Sequence, residues 1–239
     1  MLPIIVMVAW IYVFDCLPLT IQVLCFVGCV ARRNQVPVIY YINLILSNVI
    51  KICAFNMTKA KPNDRTVSSI ASVFYLLGVM ASLYFKMCIA LERCFFITLP
   101  LLDCLRRTRS SVLVCVLVWA FCIVSVPLAI VLDELGHLII YAALPGLLFM
   151  FCLARTFRAL PAATSVPTQE KRRCLGILIL LFFKYFVLII PIISIFNERL
   201  FFHINWIFFL LCPFVDLVLC LFMRQGRIDR LLACLCSSV

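Results

Sequence analysis

Seven long apolar stretches, separated by short charged or polar breaks, run along this chain. A helix needs about 20 apolar residues to cross the ~30 Å hydrocarbon core of a bilayer. Because 66% of the 239 residues are hydrophobic and only 13% are charged, no single soluble core could bury this much apolar surface. The sequence therefore predicts an all-α polytopic membrane protein, a seven-transmembrane helix bundle over residues 1–222. Its predicted spans are Met1–Ala31, Val38–Met57, Val67–Thr98, Ser110–Leu132, His137–Phe157, Cys174–Phe196 and Leu200–Phe222.

The two ends of the chain carry separate signals. The first stretch has no basic residue before Arg32 and is longer than a signal-peptide core, so a retained first helix is expected. In residues 223–239, arginine recurs every third position and leucine or isoleucine recurs at helical spacing. This pattern predicts a short amphipathic helix on the inner membrane surface. Cys234 and Cys236 at its end are candidate palmitoylation sites.

The basic residues are distributed unevenly. Of the 21 lysines and arginines, fourteen lie in or beside one set of alternate breaks, four lie in the other set, and three lie inside spans. Cytoplasmic loops carry the excess of Lys and Arg, so the N-terminus is expected outside and the C-terminus in the cytoplasm of a multi-pass cell-membrane protein. The net charge of +11 is thereby explained as an orientation signal, and nucleic acid is not an expected partner.

Several chemical functions are disfavoured by residue spacing. No two of the six glycines lie closer than ten residues, which excludes glycine-rich phosphate loops and a GxxxG dimer face. The fifteen cysteines fall mostly inside spans and form no CxxC or Cys/His metal pattern, so packing roles are expected and neither a metal nor a cofactor is. Asp216 is the only acid placed deep in the bundle, and an intramembrane enzyme is therefore not expected.

Short motifs occur in a fixed order along the spans. They are Asn43–Asn48 in the second span, Glu92-Arg93-Cys94 near the end of the third, Trp119 in the fourth, Pro191 in the sixth and Asp216–Cys220 in the seventh. The set resembles the rhodopsin-like (class A) G-protein-coupled receptors. The stretches 165–176 and 216–232 are similar to fish orphan receptors that are akin to the nucleotide-, lipid- and proton-sensing branch.

This resemblance implies a function and a set of roles. Glu92, Arg93 and Cys94, together with Lys171 and Arg172 at the start of the sixth span, would form the activation switch that meets a heterotrimeric G protein when the sixth helix swings outward. Pro191 would kink that helix. The ligand would be a small molecule, a lipid or a proton, and the other partner is the lipid bilayer itself.

Charged groups inside the spans require a physical reason, since a charge at mid-bilayer costs ~2.5–3.5 kcal/mol on insertion scales. We expect Asp216 to pair with Lys86 or Lys184 in the bundle interior, and the alternative is that the lysines extend towards an interface. The expected intramembrane polar network consists of Asn48, Lys51, Lys86, Lys184 and Asp216.

The only two histidines, His137 and His203, lie at predicted outer helix ends. Histidine changes charge near neutral pH, so both are candidate proton sensors. The alternative is that they are interfacial residues bonded to water or lipid headgroups.

Two other functions stay open. Leu217 and Cys220 replace the proline and tyrosine of the family's seventh-helix motif, and the third span begins without a cysteine, which favours a non-signalling receptor relative. An ion or solute transporter would use Lys86, Lys184 and Asp216 as its pathway, although the sequence shows no internal repeat.

Overall fold

The structure is a computed structural model that describes residues 37–60, 64–98, 108–132, 135–159 and 168–194. This part of the chain is helical throughout, apart from Asp64 and a turn at Leu132. Its elements are α1 Pro37–Ala60, α2 Arg65–Thr98, α3 Thr108–Val131, α4 Leu135–Ala159 and α5 Thr168–Ser194. These helices confirm the second to sixth predicted stretches as separate helices. The predicted first and seventh spans and the tail lie outside the described residues.

Four of the helices, α1 to α4, contain a stretch long and apolar enough to cross a membrane. In α5 an apolar stretch runs through Cys174–Phe186, and apolar residues continue along the sequence to the end of the helix at Ser194. The helix itself begins at Thr168, so the polar residues just before Cys174 form its first turns. Glutamine, glutamate, lysine and arginine are good helix formers, and they continue the helix beyond the apolar stretch.

The start of α2 is fixed by a cap that hydropathy alone does not reveal. A side-chain oxygen of Asp64 accepts hydrogen bonds from the backbone N–H of Thr66 at 3.0 Å and of Val67 at 3.3 Å. Such a carboxylate satisfies N–H groups that have no partner within the helix. The helix therefore begins at Arg65, two residues before the predicted boundary.

Helix α2 is the centre of the described bundle. It packs against each of α1, α3, α4 and α5, most extensively against α1 and α4. Of its apolar stretch, 78% is buried, whereas 33% is buried in α3 and in α4. The approach of α1 is closest at Gly78, where a Cβ atom would lie 2.7 Å from Cγ of Lys51 and 2.9 Å from the carbonyl oxygen of Ser47.

The outer faces of α3 and α4 are apolar and exposed. Val131 is 80% exposed and Leu147 is 73% exposed, and further valine, leucine and phenylalanine side chains lie along the same two helices. Soluble proteins rarely present apolar surface this continuous, because it is costly in water. The arrangement fits a bundle whose perimeter contacts lipid.

Helices α4 and α5 meet through aromatic packing. The ring of Phe149 lies 5.8 Å from that of Tyr185, centroid to centroid. Gly146, one turn earlier on α4, faces the same tyrosine so closely that a Cβ atom there would overlap its ring. Glycine at this position lets the tyrosine ring lie against the α4 backbone.

Candidate functional site

One end of the bundle gathers most of the basic residues of the described helices. The chain enters α1, α3 and α5 and leaves α2 and α4 at this end, which we call the basic end. Its helical lysines and arginines are Arg93, Arg109, Arg155, Arg158, Lys171, Arg172 and Arg173. At the opposite ends of the described helices the basic residues are Lys59 and Arg65. This asymmetry agrees with the charge distribution along the sequence.

The Glu92-Arg93-Cys94 motif lies on the last turns of α2, where three helices meet. Tyr40 at the start of α1 lies near Ser111 at the start of α3 and near Glu92. Both carboxylate oxygens of Glu92 are buried. The Nε atom of Arg93 is buried too and has no hydrogen-bond partner among the described residues. A partly buried, charged dipeptide at a junction of three helices is sensitive to relative helix movement.

Cys94, the third residue of the motif, faces α4. Its thiol lies near that of Cys152, and the fully buried Thr156 lies beside the pair. The hydroxyl of Thr98 donates to the carbonyl oxygen of Cys94 at 2.9 Å. The motif thus contacts α1 and α3 through one residue and α4 through another.

The three intramembrane lysines are all buried. Lys51 is 6% exposed, Lys86 is 0% exposed and Lys184 is 1% exposed. They come from α1, α2 and α5 respectively, so the cations are contributed by three helices. Removing an ammonium from water costs several kcal/mol unless nearby polar groups compensate, so each lysine must have a structural or functional use.

Polar groups accompany these lysines. The Nζ atom of Lys86 donates to Oγ of Ser82 at 2.6 Å, one turn earlier on α2. The aliphatic stem of Lys51 packs over Gly78. Asn48, 5% exposed, lies one turn before Lys51 on α1. Asp216, the acid expected to pair with a lysine, lies outside the described residues.

A polar contact joins α1 to α3 close to the basic end. The Nε1–H group of Trp119 donates to Oδ1 of Asn43 at 2.8 Å. The Nδ2 group of Asn43 donates to Sγ of Cys115 at 3.3 Å and to the carbonyl oxygen of Ile39 at 2.8 Å. The indole ring also lies against Phe85 of α2, at 5.7 Å between centroids. Two of the residues that carry the sequence resemblance, Asn43 and Trp119, are therefore direct partners.

An aromatic group joins α2, α3 and α4 in the other half of the bundle. The ring of Phe121 packs edge-on against those of Tyr84 and Tyr141, at 5.2 Å and 5.4 Å between centroids. His137, exposed at the start of α4, stacks on Tyr141 at 6.3 Å. The candidate proton sensor thus touches a tyrosine that belongs to the helix interface.

The remaining predicted site residues are placed as follows. Lys171 is half-buried and Arg172 is exposed, both in the first turns of α5. Pro191 lies within α5, three residues before the helix ends at Ser194. His203, Cys234 and Cys236 lie outside the described residues.

The described residues were compared with the requirements of a metal site, and the sequence with known families and curated proteins. Among the described residues, no group of three or more His, Cys, Asp or Glu side chains could hold a metal ion. The chain matches no protein-family model and no curated protein. Its function must therefore be inferred from the motifs and from the contacts around the basic end.

Proposed function

We propose that this chain is a seven-helix receptor of the rhodopsin-like type, which transmits the binding of an extracellular ligand to a heterotrimeric G protein. The observation that carries the proposal is the position of Glu92 and Arg93, partly buried at the basic end of the one helix that packs against all the other described helices. A movement of any neighbour changes the surroundings of this pair, as a conformational switch requires.

The mechanism follows from differential binding. A ligand that binds one packing of the bundle more tightly than another shifts the population towards that packing. In the active packing, α5 moves away from α2 at the basic end and Arg93 becomes accessible to the G protein. Lys171 and Arg172, on the first turns of α5, lie beside the surface that opens. The guanidinium stays charged throughout, so the switch acts through position rather than through protonation.

The proposed topology places the basic end in the cytoplasm of a cell-membrane protein. The stretches before α1 and after α5 supply the first and seventh helices, and the N-terminus is extracellular. The tail forms an amphipathic helix on the inner leaflet, anchored by palmitoylation at Cys234 and Cys236. Two lipid chains in addition to the basic face would hold this tail stably at the membrane.

The contact between Asn43 and Trp119 supports the family assignment. These residues are 76 positions apart in the sequence, and each belongs to a span that resembles the corresponding receptor helix. A chance match of isolated motifs would not be expected to bring two of them into a hydrogen bond between helices.

The buried lysines favour a second candidate function, transport of an ion or solute. Lys86 on α2 and Lys184 on α5 are buried inside the bundle instead of extending to its perimeter. With Asp216 they would provide charged binding sites along a transport pathway, which is a common role of intramembrane charges.

One experiment separates the candidates. The chain is expressed with a C-terminal tag, the tag is located by its accessibility in intact and permeabilised cells, and basal second-messenger output is measured for wild type and for Arg93→Ala. Arg158→Ala is the matched control, since Arg158 is an exposed arginine of the same end outside the motif. A signal that falls with Arg93→Ala and not with Arg158→Ala supports the receptor.

Two outcomes would reject the receptor proposal. Ion flux across the membrane without an Arg93-dependent signal would identify the transporter. Surface expression with neither flux nor signal would identify a non-signalling relative of the receptors.

A further inference from the structure

One side of α2 faces the seam between α3 and α4. Tyr84 marks this side, because its ring packs against that of Phe121 on α3 at 5.2 Å and its hydroxyl group donates to the backbone carbonyl oxygen of Tyr141 on α4 at 3.0 Å. The rings of Phe121 and Tyr141 are also in contact, at 5.4 Å between centroids. At the level of Tyr84, aromatic side chains from all three helices therefore close the seam.

The seam opens towards the basic end. Cys88, Leu91 and Phe95 lie on the same side of α2 as Tyr84, since intervals of four, seven and eleven residues are close to whole helical turns. Their exposure rises along the helix: Cys88 is 8% exposed, Leu91 is partly exposed and Phe95 is 49% exposed. A phenylalanine this exposed on the central helix of the described bundle lies in an open part of the seam, the α3–α4 gap.

The other two helices continue the walls of this gap. On α3, Leu117 lies one turn from Phe121 towards the basic end and is 59% exposed. On α4, Leu148 and Arg155 follow Tyr141 at intervals close to two turns, so they lie on the side of α4 that faces the seam. Leu148 is partly exposed and Arg155 is exposed. The α3–α4 gap is thus lined by apolar side chains and has an arginine at its mouth.

An aromatic ring supports the arginine at this mouth. The Cζ atom of Arg155 lies over the ring of Phe151, one turn earlier on α4, at 6.0 Å from the centroid. A cation–π contact of this kind uses the face of the guanidinium and leaves the N–H groups at its edge directed outward. Those groups match the oxygen atoms of a phosphate, to which arginine donates two parallel hydrogen bonds.

The length of the α3–α4 gap matches one leaflet of a bilayer. Tyr84, where the seam is closed, and Phe95 are eleven residues apart, or about 16.5 Å along the axis of α2. Half of the ~30 Å hydrocarbon core is about 15 Å. An acyl chain of one leaflet therefore reaches from the mouth of the gap to its aromatic closure.

We propose that the α3–α4 gap binds an anionic phospholipid, with an acyl chain against Phe95 and Leu117 and the phosphate group on Arg155. Charge favours this occupant over a second copy of the chain. The chain carries a net charge of +11, and the basic end holds most of the basic residues of the described helices, so two copies meeting there would repel each other. Basic pockets between membrane helices bind anionic headgroups for the opposite reason. The proposal requires a membrane-embedded chain and is independent of the receptor assignment.

The test uses the purified full-length chain in phosphatidylcholine nanodiscs. Each preparation contains the same small fraction of a photoactivatable lipid with a diazirine on its acyl chain, either phosphatidylserine or phosphatidylcholine, and labelled peptides are identified by mass spectrometry. Peptides that contain Phe95 or Leu117 should be labelled about fivefold more by phosphatidylserine, since one arginine near an anionic lipid contributes about 1 kcal/mol. Val131, 80% exposed at the other end of α3, should be labelled equally by both lipids.

Two arginine variants provide the controls. Arg155→Gln should reduce the labelling by phosphatidylserine to the level of phosphatidylcholine. Arg158→Gln is the matched control and should retain the preference, because Arg158 is exposed on the same end of α4 but lies about 60° around the helix from Arg155, away from the seam. Labelling by phosphatidylcholine monitors the fold of each variant, and the main comparison needs only the wild-type protein.

Three outcomes would overturn the proposal. Equal labelling of the Phe95 and Leu117 peptides by both lipids would indicate an ordinary annular lipid. No labelling of these peptides by either lipid would indicate that protein fills the α3–α4 gap. Equal behaviour of Arg155→Gln and Arg158→Gln would show that Arg155 does not hold the headgroup.

Discussion

The hydroxyl group of Tyr84 on α2 donates a hydrogen bond to the backbone carbonyl oxygen of Tyr141 on α4, at 3.0 Å. This carbonyl is available because the residue four positions later is Pro145, which has no N–H group to complete the helical bond. An unsatisfied carbonyl in an apolar interior costs free energy, and the tyrosine of the neighbouring helix removes that cost. The proline of one helix is therefore matched by a hydroxyl of another.

Tyr84→Phe should destabilise the bundle by about 1–3 kcal/mol, because the carbonyl of Tyr141 loses its donor while the ring packing is retained. The measurement is the thermal unfolding of the purified protein in detergent. In a Pro145→Ala background the new N–H group would bond the same carbonyl, so the cost of Tyr84→Phe should shrink. An equal loss in both backgrounds would contradict the link between Tyr84 and the proline.

Gly146→Ala should destabilise the contact between α4 and α5. The added Cβ would overlap the ring of Tyr185, and overpacking of this kind typically costs about 1–3 kcal/mol. Gly136→Ala is the matched control on the same helix, since a Cβ there has no atom within 4 Å. Thermal unfolding should separate the two variants, and equal melting temperatures would refute the close approach.

Asn43→Ala should weaken the contact between α1 and α3. It leaves the partly buried Nε1–H group of Trp119 without its acceptor, and a loss of about 1–3 kcal/mol is expected. Trp119→Phe removes the donor instead, so the double variant should be less destabilised than the sum of the two single changes. Additive losses in melting experiments would show that the hydrogen bond contributes nothing beyond packing.

Asp216→Asn should lower both surface expression and thermal stability, because a buried lysine would lose its counter-charge. Replacing the partner lysine by methionine in the same chain should recover much of that loss, since no unpaired charge then remains. Comparing Lys86→Met with Lys184→Met in the Asp216→Asn background identifies which lysine is the partner. Unchanged expression and stability in Asp216→Asn would rule out the pairing.

Much of the helix layout could be predicted from the sequence, and the contacts could not. Uninterrupted apolar runs locate α1 to α4 to within a few residues, because the thickness of the bilayer sets the helix length needed to cross it. Even the short break after Leu132 separates two helices as expected. The boundary at Arg65 was missed because the cap provided by Asp64 is a hydrogen-bonding feature that hydropathy does not record.

The side of each helix that packs against its neighbours was harder to predict. Helix α3 is apolar around its whole circumference, so its sequence does not show which side packs against α2. On α2, the sequence left two placements open for Lys86, one buried inside the bundle and one extended to its perimeter. The bond between Tyr84 and Tyr141 did have a signal, since Pro145 predicts a free carbonyl four residues earlier, but its donor is 57 residues away.

The length of α2 has a consequence for the membrane around the protein. Its 34 residues extend about 50 Å, and Arg65 and Arg93 lie about 42 Å apart along its axis. That separation equals the full thickness of a bilayer with its headgroups, about 40–45 Å. The two arginines can therefore sit in opposite headgroup layers when the helix is nearly upright, and a thinner bilayer must tilt it. Every other described helix packs on α2, so a tilt of α2 would change how its neighbours lie around Arg93. Membrane thickness would thereby alter the contacts of Arg93.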